Sequence, residues 1–263
     1  MQNRLLAAYD AELRGEAELH GATDTDSHGP LWWGRYGEHG MVSYEHEALV
    51  GAPVDELIKA AISHFREETE VVDFEWKSRG HDEPADLGAR LVAHGLVPDE
   101  VETVMIGEAA LLTAAVDLPP AVTVRRAGEG ADLLEDVRRS QEMQDAVFGR
   151  PSGQSAEELA AFCATPDGHH QIWLAEADGQ VVCAGRVVVV EGTEFAGLWG
   201  GATRAEWRGH GIYRALTAAR ARSALDLGVR YLHSDCSSMS RPILERSGLI
   251  AVTTTTPYVW TRR

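Results

Sequence analysis

Between residues 203 and 217 the chain reads TRAEWRGHGIYRALT, in which Arg208-Gly209-His210-Gly211 makes a turn that runs straight into a helical pattern. The first turn of a helix presents backbone N–H groups without partners and a partial positive charge, so a turn that brings a ligand close to them makes an anion site. Gly209 and Gly211 provide that access where a side chain would block it or where positive φ is required. Arg204, Arg208, His210 and Arg214 gather cationic or potentially cationic groups around the turn, against the sign of the rest of the chain. A plain strand-to-helix turn, with Gly for tightness and Arg for solubility, accounts for the same letters, because GxG alone is a weak pattern. Spacing excludes two other phosphate motifs. There is no GxxxxGK followed by Ser or Thr, and GHG lacks the third Gly and the downstream acid of a dinucleotide fingerprint. Without HRD or DFG the chain is not a kinase either.

The turn needs a strand before it and a helix after it, and the pattern provides both. EFAGLWGGAT is read as the strand, and the helix runs to about Leu227, where Gly228 stops it. Upstream, IWLAEA and VVCAGRVVVV flank Asp178-Gly179, a two-residue hairpin signal. Helical patterns cover about 131–147 and 155–164, and VRYLHSDC, MSRPILERSG and AVTTTTPYVW read as strand, short helix and strand. The first part opens with a helix over about 2–20, and GATDTDSHGP follows as a loop. Strands are expected at 31–36, 41–50 and 71–76, with helices from Pro53 and over about 84–94, and a last turn and strand at 94–107. Pro119 and Pro120 mark a boundary, so the chain is divided into residues 1–118 and 119–263. The fold class is α/β (α+β mixed sheet), with strand, helix, strand, helix, strand shared by both halves.

Composition narrows the function. The 263 residues carry 24 basic and 41 acidic side chains, a formal charge of −17, which repels a nucleic-acid backbone and suits a small cationic or neutral substrate. An acidic surface also simply keeps a protein soluble. Cys163, Cys183 and Cys236 are few and far apart, so neither a disulfide framework nor a metal site is expected, and a reducing cytoplasm is the expected compartment. The opening residues lack the apolar run and cleavage pattern of a signal peptide, so none is expected, and no stretch reaches the ~20 apolar residues of a membrane span.

The segment WGGATRAEWRGHGIYRALTAARARSALDLGVRYLHSDCSSMSRPILERSGL resembles the GNAT superfamily of acyl-CoA-dependent N-acyltransferases: strand, RxxGxG/A turn, long helix, strand, short helix. The resemblance implies a GNAT fold over residues 119–263 and acetyl-CoA as cosubstrate. It places the pyrophosphate on the backbone of Arg208, Gly209, His210, Gly211, Ile212 and Tyr213, and the pantetheine arm along Gly201, Ala202 and Thr203. Ser238 and Ser240 stand where many relatives contact the pantetheine, although Ser240 is equally a helix N-cap. Three departures follow. Tyr213 occupies a position usually held by Gly or Ala, Leu244 replaces the frequent acid tyrosine, and Gly197 and Leu198 leave no acidic base on the splayed strand. Asp235, His233 and Glu194 are the remaining base candidates, while no base for Cys236 is identifiable from the sequence, which reads it as a buried structural thiol.

Residues 1–118 have a similar element order but no RxxGxG turn, and look like a degenerate GNAT-like domain in tandem with the catalytic one. LWWGRY and DFEWKSRGHD offer aromatic and acidic types suited to an organic cation, with Trp33, Glu75 and Trp76 as the substrate-binding candidates and Trp32, Tyr36, His81 and Asp82 beside them. Alternate members of such strands also simply fill a core. The expected function is transfer of an acetyl group to a small-molecule primary amine. A non-catalytic acyl-CoA sensor or assembly module is the alternative, and a different acyl donor or a hydroxyl acceptor a third.

Overall fold

The computed structural model describes residues 1–262. In chain order the elements are α1 (Gln2–Glu12), β1 (Asp24–His28), β2 (Leu31–Tyr36), β3 (His39–Tyr44), α2 (Val54–Glu67), β4 (Asp73–Arg79), α3 (Leu87–Ala93), β5 (Val97–Pro98) and β6 (Glu102–Glu108). They continue as β7 (Val122–Arg126), α4 (Leu133–Phe148), α5 (Ala156–Cys163), β8 (His170–Ala177), β9 (Gln180–Val189), β10 (Phe195–Thr203), α6 (Ile212–Asp226), β11 (Tyr231–Cys236), α7 (Arg241–Ser247) and β12 (Ile250–Thr261). Parallel and antiparallel pairs both occur, so the structure is mixed α/β.

Two compact units emerge that do not follow the linear order. The first holds Met1–Met105, Asp235–Pro242 and the chain from Ile250 on; the second holds Ile106–Ser234 and Ile243–Leu249. The proline pair at 119–120 therefore lies inside the second unit, and β12, which sequence order assigns to the second half, is built into the first. Long-range pairing is the reason. β12 runs antiparallel to β4 from Thr255↔Arg79 to Thr261↔Asp73, and the next residue, Arg262, donates to the carbonyls of Phe65, Arg66, Thr69 and Val71. A guanidinium at the end of α2 satisfies carbonyls that a helix leaves unpaired and complements its dipole.

In the first unit β1, β2 and β3 form an antiparallel meander, and α2 crosses over to set β4 parallel to β3. Strand alternation turns Phe74 and Trp76 of β4 into the core with Leu31, Val42, Ile58 and Phe65, all fully buried. Of the expected stripe Leu57, Ile58, Ala61, Ile62 and Phe65, all but the half-buried Ile62 lie on the buried face of α2. Three expectations fail locally, the first being the strand expected over 41–50, which ends at Tyr44. The helix expected to about residue 20 ends at Glu12, because Gly15 takes φ +66° and starts a short 3-10 turn. The polar DTDSH, read as loop, is β1, an edge strand with all five residues exposed. A strand that buries nothing carries no hydrophobic alternation to read.

In the second unit β7, β8, β9 and β10 form an antiparallel meander, and α6 crosses over to set β11 parallel to β10. The β8–β9 hairpin turns at Asp178 and Gly179, both at positive φ, as the two-residue turn requires. The run β2–β3–α2–β4 thus has a counterpart in β9–β10–α6–β11. On one face α4 and α5 cover Ile172, Leu174, Ala184 and Ala202; on the other α6 packs Ile212 and Leu216 against Val182 and Cys183.

α4 is anchored by a buried ion pair. The Asp136 carboxylate, 1% exposed, accepts both terminal nitrogens of Arg125 at 2.5 and 2.7 Å and the Gly128 N–H at 2.9 Å. Burial opposes its ionisation, but the Arg125 and Gly128 donors outweigh it and hold the carboxyl below its ordinary 3.8. A depressed carboxylate stabilises the fold fully above its unfolded-state value and less as pH falls through the folded one. Asp136→Asn is therefore expected to cost about 3–5 kcal/mol at pH 7 by urea unfolding. The gap to wild type should narrow below about pH 4.

Candidate functional site

Built from the residues upward, the helix start after β10 is an open anion cradle in the second unit. Gly209 and Gly211 take φ +80° and +79°, and Gly211 is the N-cap of α6 with no side chain capping it. No acid stands in the first turn of α6, so the N–H groups of Ile212, Tyr213 and Arg214 meet neither an acceptor within the helix nor a neutralising carboxylate. Arg208, His210 and Arg214 are exposed around it. Arg204 is half-buried, with its Nε donating to the Val181 carbonyl at 2.9 Å, whereas Arg208 stays exposed although its Nε donates to the Thr203 carbonyl at 3.1 Å.

Tyr213 fits this arrangement because its ring turns toward β10. A Cβ placed on Gly201 would lie 2.6 Å from the Tyr213 hydroxyl, so Gly201 is glycine to admit the ring. On its other side stands the fully buried Arg220, whose guanidinium lies 5.8 Å from the ring centroid. The tyrosine leaves the backbone cradle clear and packs with the Val182–Cys183 cluster.

Along β10 the pairing changes where a thioester arm would lie. The parallel ladder with β11 runs from Phe195↔Tyr231 to Gly197↔His233 and stops there. The Ser234 hydroxyl then donates to the Leu198 carbonyl at 3.0 Å. On the other edge the register with β9 shifts between Trp199 and Ala202, around Gly200 at φ +61°. Such a bulge bends a strand and leaves backbone groups outside the ladder. Trp199 folds back over Gly197, where any side chain would overlap the indole. The same indole meets His233 edge-on, with ring centroids 5.3 Å apart.

The three base candidates separate clearly. His233, 6% exposed, stands on the last rung before β10 and β11 part. Glu194 lies at the opposite end of β10, half exposed and paired with Arg230 at 3.4 Å. Asp235 belongs to the first unit, where its carboxylate meets the Lys77 ammonium at 2.5 Å. Leu244 is fully buried and offers no proton, and Cys236, 4% exposed, is a core thiol.

Around Lys77 the first unit buries a charge cluster. Glu18 pairs with Arg79 and accepts from the Ser43 hydroxyl at 2.5 Å. Burial lowers the proton affinity of Lys77, yet Asp235, Glu18 and Glu75 together raise it well above the ordinary value. Glu75 is pushed up by burial and by the Glu18 and Asp235 charges, against the pull of Lys77 and Arg79. Trp33 and Trp76, offered as substrate contacts, are core residues instead. Trp76 is fully buried beside Tyr44, and Trp33 stacks on His64 at 4.0 Å. Burial by α2 removes them from any ligand surface; Glu75, on the other strand face, stays among the charges. Ser238 and Ser240 lie in the turn before α7, and the Ser237 carbonyl accepts the Ser240 and Arg241 N–H groups.

The same unit has an open cavity of about 560 Å³ lined in part by Asp10, Arg14, Glu45, His46 and His81. Asp10, His46 and His81 each bring a ligand atom within 4.8 Å of the others. Arg14, with its side chain fully buried, sits 3.2 Å from Asp10 and supplies the positive charge that a cation would bring. Thr253 and Asp10 engage the two ring nitrogens of His81. Sequence reading missed this triad because its members lie in a helix, a loop and a strand end brought together only by folding.

Two tests follow from these contacts. Gly201→Ala is expected to destabilise by about 1–3 kcal/mol in thermal unfolding, and Gly201→Ala with Tyr213→Ala to recover part of the loss. Glu75→Gln is expected to raise stability at pH 7 by on the order of 1 kcal/mol in urea unfolding. A carboxylate with a raised folded value weighs against folding as pH rises, so that gain should vanish below about pH 4.5.

Residues 110–235 match the family described as Acetyltransferase (GNAT) domain. No curated protein sequence matches the chain. Among solved structures, the chain is similar to a GCN5-related N-acetyltransferase from Kribbella flavida, with TM-score 0.66, 17% identity, and 98% of this chain and 95% of that one covered. One from Sphaerobacter thermophilus gives TM-score 0.65 at 19% identity, over 88% and 76%. A tandem GNAT protein from the clavulanic acid biosynthesis pathway gives TM-score 0.57 at 13% identity, over 88% and 78%. Residues 110–235 thus match a GNAT acetyltransferase domain, and the fold along nearly the whole chain is the one these GNAT structures share.

Proposed function

We propose that the protein transfers an acetyl group from acetyl-CoA to a primary amine of a small molecule by direct attack, without a covalent enzyme intermediate. One observation carries the reading: α6 begins with two left-handed glycines and no capping side chain or acid, directly after the bulged strand β10. The N–H groups from Arg208 to Tyr213 suit a pyrophosphate. Gly201 to Thr203 suit the amides of an extended arm, which pairs with a strand edge as another strand would. Acetyl-CoA supplies the acetyl group as a thioester.

His233 is the group we assign to take a proton from the acceptor's ammonium and so free the lone pair that attacks, because it stands where β10 and β11 part. Asp235 is engaged by Lys77, and Glu194 is at the far strand end. As the C–N bond forms, the C–S bond breaks and the sulfur leaves as thiolate. Its modest basicity dispenses with a protein acid, in keeping with Leu244. Backbone N–H groups freed at the β10 bulge suit the carbonyl oxygen on which charge develops. The net charge of −17 favours a small cationic amine over nucleic acid, and three free cysteines suit a reducing cytoplasm.

Titration calorimetry should show acetyl-CoA binding that Gly211→Glu weakens about 100-fold or more, by placing a carboxylate and a strained backbone at the helix start. His233→Gln should lower kcat about 100-fold and leave acetyl-CoA affinity unchanged. Thiol release with none of a broad amine panel, despite binding, would identify a non-catalytic acyl-CoA module instead.

A further inference from the structure

Arg186, half-buried on β9, stands apart from the arginines that the fold pairs with carboxylates. Arg14 pairs with Asp10 and Asp82, Arg79 with Glu18, and Arg125 with Asp136 and Glu176. Arg186, on β9, faces no carboxylate among the described residues; the only titratable group acting on it is the Cys163 thiol. Burial pushes that thiol up to about 11, so it is neutral and gives no counter-charge. Burial likewise lowers the proton affinity of Arg186 itself. In a chain of net charge −17, a half-buried guanidinium without a carboxylate gives up part of its hydration at a cost that no counter-charge offsets.

Its position gives that cost a use. Arg186 pairs across the sheet with Trp199, at the start of the β10 bulge. Its Nε reaches to 3.9 Å from where a Cβ on Gly200 would lie, and the Gln144 amide, which donates to the Gly200 carbonyl, lies 2.9 Å from the same point. The guanidinium therefore flanks the bulge on the α4 face. Arg220, from the opposite face, donates to the Arg186 carbonyl at 3.0 Å and to Thr217, and is committed there.

We propose that Arg186 receives a carboxylate carried by the acceptor, so that the acceptors are amino-acid-like amines with an anionic group near the reacting nitrogen. A single unpaired guanidinium fork matches one planar monoanion, whereas a phosphate dianion calls for more cations than this face presents. The inference rests on the acyl-transfer reading for its place in catalysis, but carboxylate recognition is measurable without turnover.

The test uses the full chain and Arg186→Gln. By saturation-transfer NMR, N-acetylglycine, N-acetylphenylalanine and N-acetyllysine are each compared with their carboxamides. Wild type should prefer at least one carboxylate about tenfold, and Arg186→Gln should abolish the preference while Arg186→Lys keeps part of it. The melting temperature of Arg186→Gln should stay level or rise, since a half-buried charge without a counter-charge is removed; a merely structural arginine would lower it. In turnover, lysine should exceed cadaverine with acetyl-CoA, and the Arg186 dependence should follow the amine. Dependence that instead follows succinyl-CoA against acetyl-CoA would place the carboxylate on the acyl group and overturn the assignment. Equal binding of all acids and amides in wild type would also overturn it. A carboxylate preference without thiol release would uphold Arg186 as the carboxylate site while defeating the acetyl-transfer reading.

Discussion

Everything proposed for the second unit depends on one helix start being left electrically and sterically open. A helix N-terminus in a folded protein is normally closed by a capping side chain or an acid in its first turn. Here α4 is capped by Asp132 and α5 by a Ser155–Glu158 capping box. α6 alone of these three begins at a left-handed glycine with neither device. Leaving those N–H groups without a protein acceptor costs stability that a bound anion returns. The surrounding packing holds the turn in place meanwhile: a Cβ on Gly211 would already press against Val116 at 3.0 Å.

The parallel motif of the first unit shows what closing the same position does. α2, like α6, crosses over between two parallel strands. Its N-cap is Pro53, its first turn carries Asp55 and Glu56, and Asp55 is engaged by Arg90 and His94. An acidic first turn satisfies the dipole internally and repels a phosphate. Its strand β3 pairs without a register shift on both sides, so no backbone edge is released. The two repeats share topology, and the chemistry of a few residues at the strand-to-helix junction separates a cradle from a closed turn.

Those few residues were legible in the sequence, because glycine and arginine at fixed offsets before a helix have a local physical meaning. The β8–β9 hairpin, α2, α4, α5 and α6 were legible for the same reason: caps, turn residues and periodic apolar stripes act over short range. What escaped was non-local. TTTTPYVW has no letter that tells it to pair with β4, and DTDSH forms a strand through a partner rather than a pattern. Trp33 and Trp76 read equally as cation contacts or core, and only the cover of α2 decides between them. Asp235 stood among the base candidates until Lys77, 158 residues away, was placed on it.

Charge placement extends this argument from the backbone to the side chains. The protein neutralises most buried cations with carboxylates, and in the first unit it gathers Glu18, Glu75 and Asp235 around Lys77 and Arg79. Such clusters rigidify when fully satisfied and are costly when an ion-paired member such as Glu18 or Asp235 is missing. Arg186 is left outside this pattern, beside the strand bulge. The open start of α6 and the uncompensated Arg186 are thus two forms of one feature of the second unit. Each is a positive centre that the fold desolvates or exposes without supplying its own anion, and the ligands proposed above provide the missing charge.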